Sequence, residues 1–210
     1  MTAYKLLTPD DYRTTRWSGG TTTELAISPR DAVYADRNFL WRVSSALVED
    51  ETSDFTPLPN YDRLIATLEG SIILRHNGGD PITLQPYQVH AFDGGAQTAC
   101  TGSCRDFNLM LRKGCAEGSL KAVRLTEEAA AALCTGADAP AQPSVHPLPL
   151  SPGYEETLIY CAEGCCVIKD AQGLEQPLQA GQALHAAKGL QAAVVLPCTV
   201  SLMVAQMRRI

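Results

Sequence analysis

Short runs in which apolar and polar residues alternate dominate the chain. In NFLWRVSSALVE, Asn38 to Glu49, Trp41, Val43 and Ser45 share one face and Arg42, Ser44 and Ala46 the other. In CRDFNLMLRKG, Cys104 to Gly114, Phe107, Leu109 and Leu111 oppose Asp106, Asn108, Met110 and Arg112. A period of two is the signature of a strand with two unlike faces. Further apolar runs, LIATL, SIILRH, ITLQ and VHAFDGG, are punctuated by Glu69-Gly70, Asn77-Gly78-Gly79 and Pro86-Tyr87, the residues of tight antiparallel connections. One stretch reads as a helix. In TEEAAAALCTG, Thr126 caps the start, Glu127 and Glu128 suit the helix dipole, and Gly136 ends it. The segment from Asp138 to Gly153 holds five prolines and reads as an extended surface linker, with His146 exposed within it.

The pattern also repeats. LIATLEGSIILRHNGGDPITLQPYQ, from Leu64, aligns without a gap on LIYCAEGCCVIKDAQGLEQPLQAGQ, from Leu158, at an offset of 94 residues. Leu64, Ile65, Glu69, Gly70, Leu84, Gln85 and Gln88 recur as Leu158, Ile159, Glu163, Gly164, Leu178, Gln179 and Gln182. Two copies are too few for a solenoid, so the expectation is a duplicated all-β domain of sandwich or barrel type. The boundaries read as an N-terminal half over 1–119, the helix and linker over 120–153, and a C-terminal half over 154–210 completed by strands from the N-terminal region.

Composition narrows the function. The net charge is -6, from 17 basic and 23 acidic residues without a basic stripe, which argues against a nucleic-acid or acidic-membrane partner. The start MTAYKLLTPDD lacks the basic and apolar regions of a secretory leader, and no apolar run approaches the roughly 20 residues that span a bilayer, so a cytoplasmic location is expected. There most of the eight cysteines would stay reduced. The C-x3-C spacing of Cys161 and Cys165, with Cys166 adjacent, is not a zinc-knuckle spacing, and adjacent strand residues face opposite ways. The only histidines, His76, His90, His146 and His185, form no H-x-H pair. No metal and no cofactor are expected.

Candidate chemistry lies in polar residues set among apolar anchors. Arg42 and Arg63 offer planar forks that match a carboxylate and stay charged in a pocket. Asn108 supplies both a donor and an acceptor. Trp17, Thr22 and Glu24 suit a rim, and Glu24 or Asp106 could move a proton if burial tuned its carboxyl. A purely structural reading instead assigns Arg42 to a salt bridge with Glu24 or Asp106, and Asp62-Arg63 to pinning a loop. Gly19 and Gly20 lack the strand-to-helix setting of a phosphate loop, and no G-x-S-x-G elbow is present.

Several segments together resemble the HutD/Ves family of bacterial proteins. They are WSGGTTTE from Trp17, WRVSSA from Trp41, FTPLPNYDR from Phe55, LEG from Leu68 and DFNLMLRKG from Asp106, in the family's order across the first 115 residues. Departures fall at Ser18, Thr21, Thr56 and Asn60, where the family pattern has other residues. The resemblance implies a bicupin, two cupin-like antiparallel β-barrels of RmlC-like jelly-roll architecture, and a link to histidine utilisation or to stress and cold response. It also implies a binding or regulatory role toward a small carboxylated metabolite such as N-formylglutamate. A metal-independent isomerase or lyase ranks second, and a structural protein-interaction module third. Pairing of sheet edges would give a homodimer, although no stretch identifies the interface.

Overall fold

A computed structural model describes residues 3–125, 144–187, 190–196 and 199–210. The helix expected at Thr126 to Gly136 and the linker up to 143 lie outside the described residues. What is described is almost entirely β-strand, with single 3-10 turns at Pro9–Asp11 and Tyr34–Asp36. Among the described residues no helix is long and apolar enough to cross a membrane.

The chain divides into two compact units, Asp10–Leu120 with Met207–Ile210, and Met1–Pro9 with Lys121–Gln206. In chain order β1 (Ala3–Leu7) belongs to the second unit. The first then builds β2 (Arg13–Trp17), β3 (Gly20–Ser28), β4 (Trp41–Val48), β5 (Thr52–Phe55) and β6 (Tyr61–Glu69). There follow β7 (Ile72–His76), β8 (Ile82–Leu84), β9 (His90–Asp93), β10 (Thr98–Thr101) and β11 (Cys104–Arg112). After β12 (Ala116–Leu125), the second unit continues with β13 (Ser144–Pro147), β14 (Glu156–Glu163), β15 (Cys165–Asp170) and β16 (Glu175–Gln179). It ends with β17 (Ala183–Ala187), β18 (Ala192–Leu196) and β19 (Val200–Arg209).

In the first unit a six-stranded sheet runs β2-β3-β4-β11-β6-β9 and a four-stranded sheet β5-β10-β7-β8. The second unit has a five-stranded sheet, β1-β17-β14-β19-β12, and a four-stranded sheet, β13-β18-β15-β16. The orders superpose. β9-β6-β11-β4 corresponds to β17-β14-β19-β12, and β8-β7-β10-β5 to β16-β15-β18-β13, so the repeated segments occupy equivalent strands. Each pair of sheets encloses its own core: Val48, Ile65, Ile72, Leu74 and Leu84 in the first unit, and Ile159, Ile168, Leu178, Leu202 and Val204 in the second. These are open pairs of sheets rather than the closed barrels expected from the resemblance.

The residues shared by the two copies have geometric reasons. Gly70 and Gly164 both have positive φ, and a Cβ on either would lie 2.6 Å and 2.2 Å from the carbonyl oxygens of Ser103 and Thr199. Only glycine fits there. Gln88 and Gln182 accept the amides of Gln85 and Gln179 on their side-chain oxygens, at 3.3 Å and 3.0 Å. The turn amides of Tyr87 and Gly181 donate to Thr67 and Cys161 at 2.7 Å and 2.9 Å.

The proline-rich linker is corrected over 144–147. That piece is β13, an edge strand antiparallel to β18, and His146 is half-buried within it. Proline is tolerated at a sheet edge because a strand there needs only one set of ladder hydrogen bonds.

Candidate functional site

The polar face of β4 and β11 turns inward. Central pairing sets Asn108 opposite Ser44 and Ile65, and Met110 opposite Arg42 and Arg63. Arg42, Ser44, Arg63, Asp106 and Asn108 therefore share one face with Ile65. Two bulges adjust this face. One inserts Leu25 between Glu24 and Ala26 of β3, the other inserts Leu68 of β6 opposite the Arg105–Asp106 step of β11, and such an extra residue re-aims its neighbours. A cavity of about 260 Å³ opens over it, walled by Trp17, Tyr34, Phe55 and Met110, with Thr15, Thr22, Ala46, Val48, Asp54 and Thr56 completing the lining.

Trp17, Thr22, Arg42, Arg63, Asp106 and Asn108 all line this cavity. Glu24 is not among its lining residues; it sits beside Arg42, whose Nε donates to Glu24 Oε2 at 2.6 Å with both side chains largely buried. Arg42 Nη1 donates to Ser44 Oγ at 3.1 Å, and the guanidinium lies 4.3 Å from the Tyr34 ring centre. Phe39 and Tyr61 stack at 4.3 Å between centroids, and the Tyr61 hydroxyl donates to the Phe39 carbonyl. Tyr34 and Met110 join this cluster, which fixes the Tyr34 end of the cavity.

Arg63 is held differently. Its guanidinium lies over the rings of both Phe55 and Phe92, 4.7 Å and 5.1 Å from their centres, and its buried Nε has no hydrogen-bond partner. Among the described residues no carboxylate comes within ion-pair distance of it. Burial lowers its pKa to about 10, against the opposing pull of Asp106, so it remains charged at neutral pH. Asn108 Oδ1 is likewise buried without a partner. Asp106 Oδ1 accepts the Ala46 amide at 2.8 Å, and burial raises its carboxyl to about 6 despite that bond and the nearby Arg63 and Arg42. Burial also pushes the Cys100 and Cys104 thiols up, to about 11 and 12, which keeps them protonated and unreactive.

The glycines after Trp17 serve the sheet. A Cβ on Gly20 would fall 1.9 Å from the Leu47 carbonyl oxygen, and one on Gly19 would strike the Trp17 ring. This close packing places the hairpin so that Trp17 lines the cavity.

Ser44 and Met110 were absent from the residues picked out as a site, yet alternation already placed them on the faces of Arg42 and Asn108. Tyr34 and Phe55 come from a turn and an edge strand and carry no periodic signal. His76 and His90 come together from different sheets, with Nε2 atoms 3.0 Å apart and His76 Nδ1 2.8 Å from Thr98 Oγ1. Burial lowers the pKa of both. His185 lies one position past the residue equivalent to His90 and turns the other way, to Glu156 at 3.0 Å. Among the described residues no three His, Cys, Asp or Glu side chains converge as a metal site.

Solved structures share this fold. A conserved protein of unknown function from Pseudomonas aeruginosa PAO1 matches with a TM-score of 0.78 at 24% identity, covering 98% of this chain and 99% of that one. HutD from Pseudomonas fluorescens SBW25 matches at 0.71 and 22%, covering 99% and 100%. A cupin 2 conserved barrel domain protein from Leptotrichia buccalis matches at 0.56 and 8%, covering 99% and 98%, which relates the fold to cupins. No curated protein gives a significant match. The HutD family model matches residues 9–142, a span that contains every residue of the cavity, and the chain belongs to the HutD family.

Proposed function

We propose that the first unit binds a small carboxylated metabolite in this cavity without needing a metal. The observation that carries the reading is Arg63: a buried, charged guanidinium whose Nε lacks a partner, facing a cavity beside an unpartnered Asn108 oxygen. A buried donor left unmade is costly, and a ligand carboxylate would satisfy it with charge assistance. Arg42 takes the supporting part, since Glu24 and Ser44 already occupy two of its donors. The aromatic wall suits the ligand's carbon chain. The same proposal extends to a bicupin arrangement of the two halves, a cytoplasmic protein, and a role in sensing an intermediate of histidine breakdown, N-formylglutamate foremost.

Isothermal titration with N-formylglutamate, glutarate and related acids tests the reading. Arg63→Ala should weaken binding by about 2–5 kcal/mol, the scale for removing one partner of a buried charged pair. Arg63→Lys should weaken it too, because an ammonium cannot reproduce the fork. Undiminished binding after Arg63→Ala would sink the assignment, and saturable turnover of a bound acid would make the protein an enzyme.

A further inference from the structure

We propose that the carboxylate enters the cavity together with one proton, which Asp106 takes up. This inference rests on the binding reading above and adds its regulation.

Two acids and two bases are buried at the cavity, and they are not evenly matched. Arg42 and Glu24 neutralise each other at 2.6 Å. That leaves one guanidinium, Arg63, and one carboxylate, Asp106, both lining the same space and both more than nine-tenths buried. With Asp106 ionised, the site holds no net charge to receive an anion. A ligand carboxylate at Arg63 would then give two carboxylates to one buried cation. Like charges so placed cannot both stay ionised, and the weaker acid takes a proton. Asp106 is already poised for this, because burial raises its carboxyl to about 6 before any ligand arrives. The balance is simple: free protein, ligand anion and one solvent proton give a complex with neutral Asp106, and no bond other than O–H is made.

The other groups around Asp106 leave it as the acceptor. Arg63 on β6 and Arg42 on β4 are cations that favour its ionised form. Cys100 on β10 and Cys104 on β11 face it as neutral thiols. Glu24 on β3 is committed to Arg42, Asp54 on β5 is exposed, and Tyr34 approaches Arg63 from its turn. His76 and His90 lie beyond Phe92, with His76 stacked on that ring at 4.6 Å, and are the competing proton acceptors.

The test is calorimetry on the full chain with N-formylglutamate and glutarate as probes, in buffers of different ionisation enthalpy. The slope of observed heat against buffer enthalpy should report roughly one proton taken up per ligand at about pH 7.5. Affinity should fall about tenfold per unit from roughly pH 7 to 8. Asp106→Asn should abolish the uptake, flatten the pH profile and bind about a hundredfold tighter than the wild type at about pH 8. His76→Asn and His90→Asn should leave the uptake in place. Binding with no buffer dependence in the wild-type chain would overturn the inference and spare the binding reading, and uptake that survives Asp106→Asn would overturn the assignment to Asp106. If neither probe binds, the reading and the inference fall together.

Discussion

On the inner face of the first unit's large sheet, Arg63, Asp106 and Asn108 stand where the second unit has Thr157, Leu202 and Val204. The two faces derive from equivalent strands, and their turns are built from the same residues, Gly70 and Gly164, Gln88 and Gln182. Yet the second face closes into an apolar core, whereas the first keeps charge and a cavity. The duplicated fold therefore does not need these polar residues. Burying charge is costly unless it is paired, and the proposed binding role would offset that cost in the first unit.

Four sets of substitutions would break or sharpen that contrast. The largest effect belongs to Leu202→Asp, which would give the second unit a buried carboxylate with no guanidinium opposite. It should destabilise by more than about 4 kcal/mol in urea unfolding, a loss reserved for changes such as an unpaired buried charge. A mild effect would mean that the second core admits water and that the contrast is overstated.

Glu24→Ala comes next. It leaves Arg42 buried without its counter-ion and should cost about 3–5 kcal/mol. The double change Glu24→Leu with Arg42→Met should recover most of the loss, since an apolar pair of similar volume replaces a buried ion pair at little net cost. Failure of the double change to recover would point to a packing role for these side chains beyond their charges.

Asp106→Asn should act through pH. The folded carboxyl titrates near 6, above its ordinary value of 3.8, so the folded state holds the proton more tightly than the unfolded one. That contribution is present in full below about pH 4 and is lost as pH rises through about 6. Relative to Asp106→Asn, the wild type should lose about 3 kcal/mol across this window. Parallel stability profiles for the two proteins would show that Asp106 is solvated in the folded state.

The smallest effects test the common frame. Gln88→Ala and Gln182→Ala each remove one exposed side-chain bond to a turn amide, and each should cost roughly 0.5–1.5 kcal/mol by thermal unfolding. Clearly unequal losses would weaken the equivalence of the two turns.

Much of the first unit was legible before its structure. Alternation placed Arg42 with Ser44 and Asp106 with Asn108, because a strand's period of two leaves little freedom once one face is apolar. The repeat was legible because its shared residues sit at turns, where backbone geometry dictates the side chain. Three things were not. The edge strand β13 reads as a linker because Pro147 and the prolines near it in sequence are compatible with an edge but not with the centre of a sheet. The meeting of His76 and His90 depends on how two sheets face each other, which no local pattern encodes. The unequal settings of Arg42 and Arg63 depend on Glu24 reaching one and, among the described residues, no carboxylate reaching the other, although both arginines look alike in their strands.

The most direct test of the account is to titrate the isotope-labelled chain with N-formylglutamate and follow its backbone amides by NMR. The account predicts saturable shifts on the cavity strands, at Arg42, Ser44, Arg63 and Asn108, with the equivalent strands around Ile159 and Val204 unmoved. Saturable shifts confined to those second-unit strands, or no shifts anywhere with any of the candidate acids, would contradict it.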